Sequence, residues 1–296
     1  SVVNERNLGA TRNFINGCCE LAGGEYTWIL GHHSLMVPGA LKRVVKFLES
    51  NTELDVFYTN FRCATFPDHW PQNSVGGFDG EFAYLGNKQM EDRKVAEWSE
   101  LIDAKSALCT QIYAHIVRRS IWKDYWTGKE VGQSFQDSIT TYPHTHMLAD
   151  VAFKSPSLYL GTPTITIFNG AQSWGDPKTQ CDVYLRGLPS LLNHFAKHGL
   201  KPDVLKQCKA LFCVPETSRI LTNAINVFGP CRVMLWVTPR SLYHPYLLKS
   251  FWRAFVCSDS GVARIVRSLT TTIANRRNWW SVNCLPARWI KAMWNH

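Results

Sequence analysis

The span Gly24–Leu41 constrains the fold of this chain more than any other. Glu25 to Gly31 reads as a short strand, His32-His33-Ser34 as a polar turn, and Pro38 as the opening of a helix that runs to about Glu49. Proline suits the first helical turn because the N–H it lacks would be unpaired there in any case. A strand that ends in polar side chains and passes into a helix is how an α/β protein presents chemistry at the carboxyl edge of its sheet. The neighbouring segments agree. Asn7 can cap a helix reaching about Ala22, with Ala10, Phe14, Cys18 and Leu21 on one face, and Gly23-Gly24 ends it. In the Pro38 helix, Leu41, Val44, Val45 and Leu48 are expected to point inward, and Asp55–Asn60 is the next strand. The order α-β-α-β with short connections predicts parallel strands joined by helical crossovers.

Residues 62–95 read as a long excursion rich in Gly, Pro, Asn and Asp, the kind of segment that more often covers a site than merely connects. Ile112–Val117 is a further strand, Ser120 can cap a helix, and 144–153 is helical. Strands over 157–160 and 164–168 are expected to join at Gly161-Thr162-Pro163. From about Val183 the periodicity is helical, so the chain divides into an α/β domain over residues 1–180 and a helical region over 181–296.

Charge sharpens this division. Of the 32 bases and 23 acids in 296 residues, eleven bases but only Asp259 among the acids follow Glu216. The remaining 21 bases and 22 acids nearly cancel, so the basic end faces something anionic. Trp252, Trp279, Trp280, Trp289 and Trp294 interleave with arginines there, as in a helix lying on anionic lipid. Nucleic acid is not expected, because no recognition motif accompanies the charge. No apolar run is long enough to span a bilayer. The ten cysteines form neither CxxC pairs nor a repeating framework, which predicts free thiols in a reducing compartment.

The segments Asn7-Leu8-Gly9-Ala10-Thr11-Arg12-Asn13, Gly24–Leu41, Val117–Trp122, Tyr142-Pro143-His144, and Tyr159-Leu160-Gly161 through Phe168-Asn169-Gly170 to Ser173-Trp174 occur in one order. In that order they resemble the inverting family 2 glycosyltransferases of the abequosyltransferase-like branch, over more than half of the chain. The resemblance implies a GT-A fold, Rossmann-like, with a mostly parallel sheet flanked by helices. It also implies transfer of a sugar from a nucleotide-sugar donor to a glycan or polyprenyl-linked acceptor, with inversion, in surface polysaccharide (O-antigen) assembly. The place would be cytoplasmic, peripheral on the inner face of the membrane. In the family a strand and a second βα unit precede this point. At about 30 residues per unit, roughly 60–75 residues are expected before Asn7.

The same resemblance places Asn7, Gly9, Arg12, Asn13 and His32 near the nucleotide, and Asn169 and Trp174 on the acceptor side. The family's metal-binding acids align with His32, His33 and Ser34, so a divalent cation, Mn or Mg, would rest on His33. Adjacent extended residues point to opposite sides, so His32 and His33 cannot share one ion. Imidazole favours Mn over Mg. The base that deprotonates the acceptor, an aspartate at a helix start in the family, aligns with His144, with Asp137 as the fallback and His146 as a structural residue. The competing expectation is an inactive GT-A-type fragment that serves as a membrane-associated binding or scaffold protein.

Overall fold

A seven-stranded sheet organises the first part of the chain, and the computed structural model describes residues 8–31, 34–65, 82–104, 106–169 and 176–258. Helix α1 (Ala10–Asn16) leads to strands β1 (Tyr26–Trp28) and β2 (Ser34–Met36) and helix α2 (Ala40–Glu49). Strands β3 (Val56–Thr65), β4 (Phe82–Leu85), β5 (Arg93–Val95) and β6 (His115–Arg118) follow. Helices α3 (Arg119–Trp126), α4 (Ser138–Thr141) and α5 (Pro143–Val151) then lead to the long strand β7 (Ser157–Asn169). The remaining helices are α6 (Pro177–Asp182), α7 (Leu188–Lys197), α8 (Pro202–Cys208), α9 (Val214–Phe228), α10 (Pro230–Ser241) and α11 (Tyr246–Cys257).

The α/β class is as expected, but the mostly parallel sheet is corrected to a mixed one. The order is β1-β6-β3-β7-β2, with β4 on the second half of β3 and β5 on the first half of β7. Among the described ladders β3–β7 is parallel and the other five are antiparallel. Strand β6 accounts for two of the five: it runs reversed between β1 and β3. Those two strands therefore point the same way, as a helical crossover through α2 requires, without being neighbours.

Alternation along β3 sends Phe57 to one face and Tyr58 to the other. Phe57 joins Val44, Leu54, Ile116, Leu158 and Leu160 in a buried cluster covered by Phe47 and Leu48 of α2. Ala40 and Val44 face inward, whereas Leu41 and Val45 are exposed, so the buried stripe of α2 is rotated by about one position from the expected one. Tyr58 packs edge-on against His115, and beyond it Trp98 lies against Phe153 and Phe195. A similar shift occurs after α1, which passes into a wide π-type turn over Gly17–Leu21, closed by Ala22 N–H donating to Gly17 O at 2.9 Å. The extra residue per turn buries Cys18 and Cys19 and leaves Leu21 exposed.

Residues 157–169 form one strand rather than two, with the irregularity at the expected place. The β3–β7 register jumps from Thr59↔Leu160 to Phe61↔Ile165. Asn60, buried at the jump, supplies the missing ladder bonds: its Nδ2 donates to Gly161 O and Asn87 O, both at 2.8 Å. Its Oδ1 accepts from the N–H groups of Phe61 and Asn87, both at 2.9 Å. Gly161 is needed for close approach, since a Cβ there would lie 2.4 Å from the carbonyl carbon of Met90. Gly161→Ala is expected to lower unfolding stability by about 3 kcal/mol, the upper range for overpacking a rigid contact. Urea denaturation of the two proteins measures this, and an unchanged midpoint would mean that residues 90–92 move aside freely.

Arg118 closes the sheet's first edge. Its Nε donates to Asp55 Oδ1 at 2.6 Å, Nη2 to Tyr26 Oη at 2.6 Å, and Nη1 to Glu25. Arg118 thus forms ion pairs at a strand end.

The chain divides into two compact units at Phe212/Cys213. Helices α6 and α7 stay with the first unit rather than leaving it at residue 180. Leu188, Leu191, Leu192 and Phe195 are buried there, and Ser190 Oγ meets Ser138 Oγ at 3.0 Å. In the second unit α9 and α11 bury Leu221, Ile225, Leu247, Phe251 and Phe255. No described helix is long and apolar enough to cross a membrane. No disulfide joins the nine described cysteines to one another.

Candidate functional site

Helix α1 and the segment 131–140, more than a hundred residues apart in sequence, meet on one side of the first unit. Thr11 Oγ1 donates to Thr140 O at 2.6 Å, and Arg12 Nη2 to Val131 O at 2.9 Å. Gly9, at φ 76°, brings the chain in so closely that a Cβ would lie 3.3 Å from Ser134 Oγ. Arg12 and Asn13 are exposed. Beside them Arg12, Ile15, Trp126, Lys129 and Val131 line an open groove of about 710 Å³. Two carboxylates, Glu20 and Glu130, offset the charges of Arg12 and Lys129 in that groove.

Asp137 stands at the head of α4 in the same segment, half-buried. Its Oδ1 accepts from Thr140 N–H at 2.9 Å and Thr140 Oγ1 at 2.8 Å. The cap forms because an aspartate before a helix satisfies an N–H that the helix leaves unpaired. Only Oδ1 is engaged, so Oδ2 remains for other contacts among the described residues.

His144 has a different environment. It lies in the first turn of α5, 2% exposed, with its ring 5.1 Å from that of His115 and neither nitrogen in a well-formed hydrogen bond among the described residues, although the Thr110 backbone weakly favours the charged ring. Burial, reinforced by His115, holds its pKa well below the usual imidazole value. His115 is likewise pushed down to about 4 by burial, although its Nδ1 bonds Gln111 O at 3.0 Å. The ring expected at the base position is thus sealed from solvent.

Other expected site residues fall outside the described residues: Asn7, His32, His33 and Trp174. Asn169 ends β7 opposite Thr65, and only its backbone is described. Ser34, which follows the two histidines, opens β2 with its Oγ buried and unpaired.

Sequence reasoning missed a second polar centre in the first unit. His146 and Asp150 share a face of α5, and His194 and His198 share a face at the end of α7, each pair four residues apart. The Nε2 atoms of His194 and His198 lie 3.0 and 2.9 Å from Asp150 Oδ1, and His146 Nε2 lies 3.6 Å from Oδ2. The rings of His146 and His194 stack at 3.8 Å with 8° between their planes. Tyr125 Oη also bonds Asp150 Oδ2, while Ser138 Oγ meets His146 Nδ1 at 2.9 Å. Burial drives the His146 pKa down to about 4 and lowers that of His194, leaving both rings neutral at pH 7. Burial alone would raise Asp150, but the Tyr125 hydroxyl and the imidazoles outweigh it and keep the carboxylate ionised. The spacings H-x-x-x-D at 146–150 and H-x-x-x-H at 194–198 were the available signal.

Compared with known proteins, the chain matches no family model and no curated protein.

Proposed function

We propose that this chain is a glycosyltransferase-like α/β protein, transferring a sugar with inversion from a nucleotide-sugar to a glycan or polyprenyl-linked acceptor in surface polysaccharide assembly. One observation carries the reading. The Gly9–Asn13 piece, aligned with the nucleotide side of the family, packs against the segment that bears a half-exposed aspartate at a helix head, Asp137. The family takes the acceptor's proton with an aspartate at a helix start; the aligned position here is His144, and Asp137 is the nearby aspartate at a helix head. A general base of this kind must reach solvent or substrate, so the role passes from His144 to Asp137. Proton removal by Asp137 Oδ2 would accompany attack of the acceptor oxygen on the sugar carbon, with the nucleoside diphosphate leaving from the opposite face.

A divalent cation would assist that departure as a Lewis acid. The donors at the turn are imidazole and hydroxyl rather than carboxylate, a set that suits Mn better than Mg. Unpaired Ser34 Oγ fits such a role. Lacking carboxylates, the turn should hold the donor only in the millimolar range. The membrane partner rests on the basic end. Arg232, Arg240 and exposed Leu235 lie on α10, exposed Leu242 follows its last residue, and Arg253 and exposed Trp252 lie on α11. Such a surface suits peripheral attachment to anionic lipid.

Incubation with UDP-, GDP-, CDP- and dTDP-sugars and Mn²⁺ tests the proposal, with release of nucleoside diphosphate as the readout. One donor should be consumed, with weak saturation. If none is bound or consumed, a second reading replaces the first: a catalytically silent binding or scaffold protein of the same ancestry. The replaced acids at His32-His33-Ser34 favour that reading.

A further inference from the structure

We infer that the corner between α10 and α11 is a bilayer anchor: Leu242 and Tyr243 enter the acyl boundary of an anionic membrane, while Lys249 and Arg253 of α11 stay among its headgroups. The inference rests on the membrane partner proposed above and not on sugar transfer. It adds which residues enter the lipid.

The corner is fixed by its backbone. The N–H groups of Tyr243 and His244 donate to Arg240 O at 3.2 and 3.0 Å, and Leu247 N–H donates to His244 O at 2.9 Å as α11 begins. Such bonds hold the turn whatever side chains it carries. Surface corners ordinarily carry Gly, Pro, Asn, Asp or Ser, and the α9–α10 corner does so with Gly229 at φ 81°. The α10–α11 corner instead presents Leu242 and Tyr243, 79% and 82% exposed, the most exposed large apolar side chains among the described residues. Side chains so far out of the packing contribute little to the core beneath. A tyrosine, with an apolar ring and a polar tip, suits the boundary between acyl chains and headgroups.

Helix α11 has two faces. Leu247, Phe251, Ala254 and Phe255 are buried, whereas Leu248 and Trp252, four residues apart and on one face, are exposed. Lys249 and Arg253 form the adjacent row. Apolar and basic rows side by side mark a helix lying in an interface, where Lys and Arg stems cover apolar surface and their heads reach phosphates. Charge selects the lipid. Glu216 is the one acid within residues 213–258, and it pairs with Arg219 at 3.0 Å, so the four bases that follow make this stretch strongly positive. A second copy of the same surface would bring like charges together. Nucleic acid would answer the charge but give Leu242 and Leu248 no apolar partner. An anionic bilayer answers both.

The test mixes the full chain with vesicles of three parts phosphatidylcholine to one part phosphatidylserine, and with vesicles of phosphatidylcholine alone. Insertion is read as the rise in surface pressure of a monolayer of the anionic mixture. Anionic vesicles should sediment the chain, neutral ones should not, and high salt should release part of it. Leu242→Ser combined with Tyr243→Ser should weaken vesicle partitioning about tenfold or more and remove most of the pressure rise. The Tm should stay unchanged, because both sites face solvent. Arg253→Ser should weaken capture about fivefold and reduce its salt dependence. A double variant that raises the pressure as the unaltered chain does, with vesicle capture retained, would overturn the anchor and leave attachment through the basic end in place. Failure of the unaltered chain to sediment with anionic vesicles would overturn both. Binding of RNA by a chain that ignores those vesicles would give the surface to nucleic acid instead.

Discussion

Acidification from pH 6.5 to 5 is expected to remove about 3 kcal/mol of the first unit's stability through His115 and His144 alone. Above pH 6.5 both rings are neutral in the folded and the unfolded chain, and they add no pH dependence. Below it the unfolded chain takes up protons that the folded chain refuses. Burial keeps His115 neutral down to about pH 4 and holds the His144 pKa well below the usual imidazole value. Each ring therefore contributes a slope that rises from about 0.7 to about 1.4 kcal/mol per pH unit across that window. His146 and His194 act with the same sign. Since domains are commonly stable by 5–15 kcal/mol, the loss should be visible as a steep fall in the urea midpoint between pH 6.5 and 5. His144→Leu removes two buried nitrogens that lack a well-formed hydrogen bond among the described residues and should flatten the profile by about half while raising the midpoint at pH 5. A wild-type midpoint that stays level across this range would show that solvent reaches both rings.

Asp137→Asn is expected to reduce sugar transfer by two to four orders of magnitude, the usual range for a general base. Asparagine caps a helix about as well as aspartate, and its Oδ1 can still accept from Thr140 N–H and Oγ1, as Asp137 does. The variant thus separates the cap from the chemistry: the Tm should hardly move while turnover collapses. Asp137→Ala should lose turnover and, in addition, about 1 kcal/mol of stability. Steady-state rates with the donor identified by the nucleotide-sugar screen, read beside thermal melts, make the comparison. Equal turnover in the Asn variant would leave Asp137 with a capping role only.

Much of the fold was legible because local chemistry settled it. The strand expected over Glu25–Gly31, found as Tyr26–Trp28, the helix after Pro38 and the irregularity at Gly161 follow from side-chain alternation, proline and glycine, which act within a few residues. Strand direction was not legible. Nothing in His115–Arg118 itself says that it runs antiparallel between two strands that a crossover connects. The inward face of α2 was misplaced by one position because Leu41 and Val45 look as apolar as Val44, and only the sheet beneath decides which of them is covered. The histidines divided similarly. His144 drew notice through its place beside Pro143, yet burial determines what it can do, and burial is a property of the packed chain. His146 looked incidental until α7 brought His194 and His198 to the same carboxylate.

The sheet's margins carry a further consequence. Along its first half the outer strands are β1 and β5, and along its second half β4 and β2, each three or four residues long. Unpaired backbone at an edge is a template on which other chains can add strands and aggregate. Here each described edge offers a visiting chain only one or two hydrogen-bonding residues on its open side, far short of the five or six of an ordinary strand. Arg118, with Glu25 and Asp55, adds charge at one such margin. Self-association of this chain through the described sheet is therefore poorly favoured, and assemblies that it enters should be built from its helical surfaces.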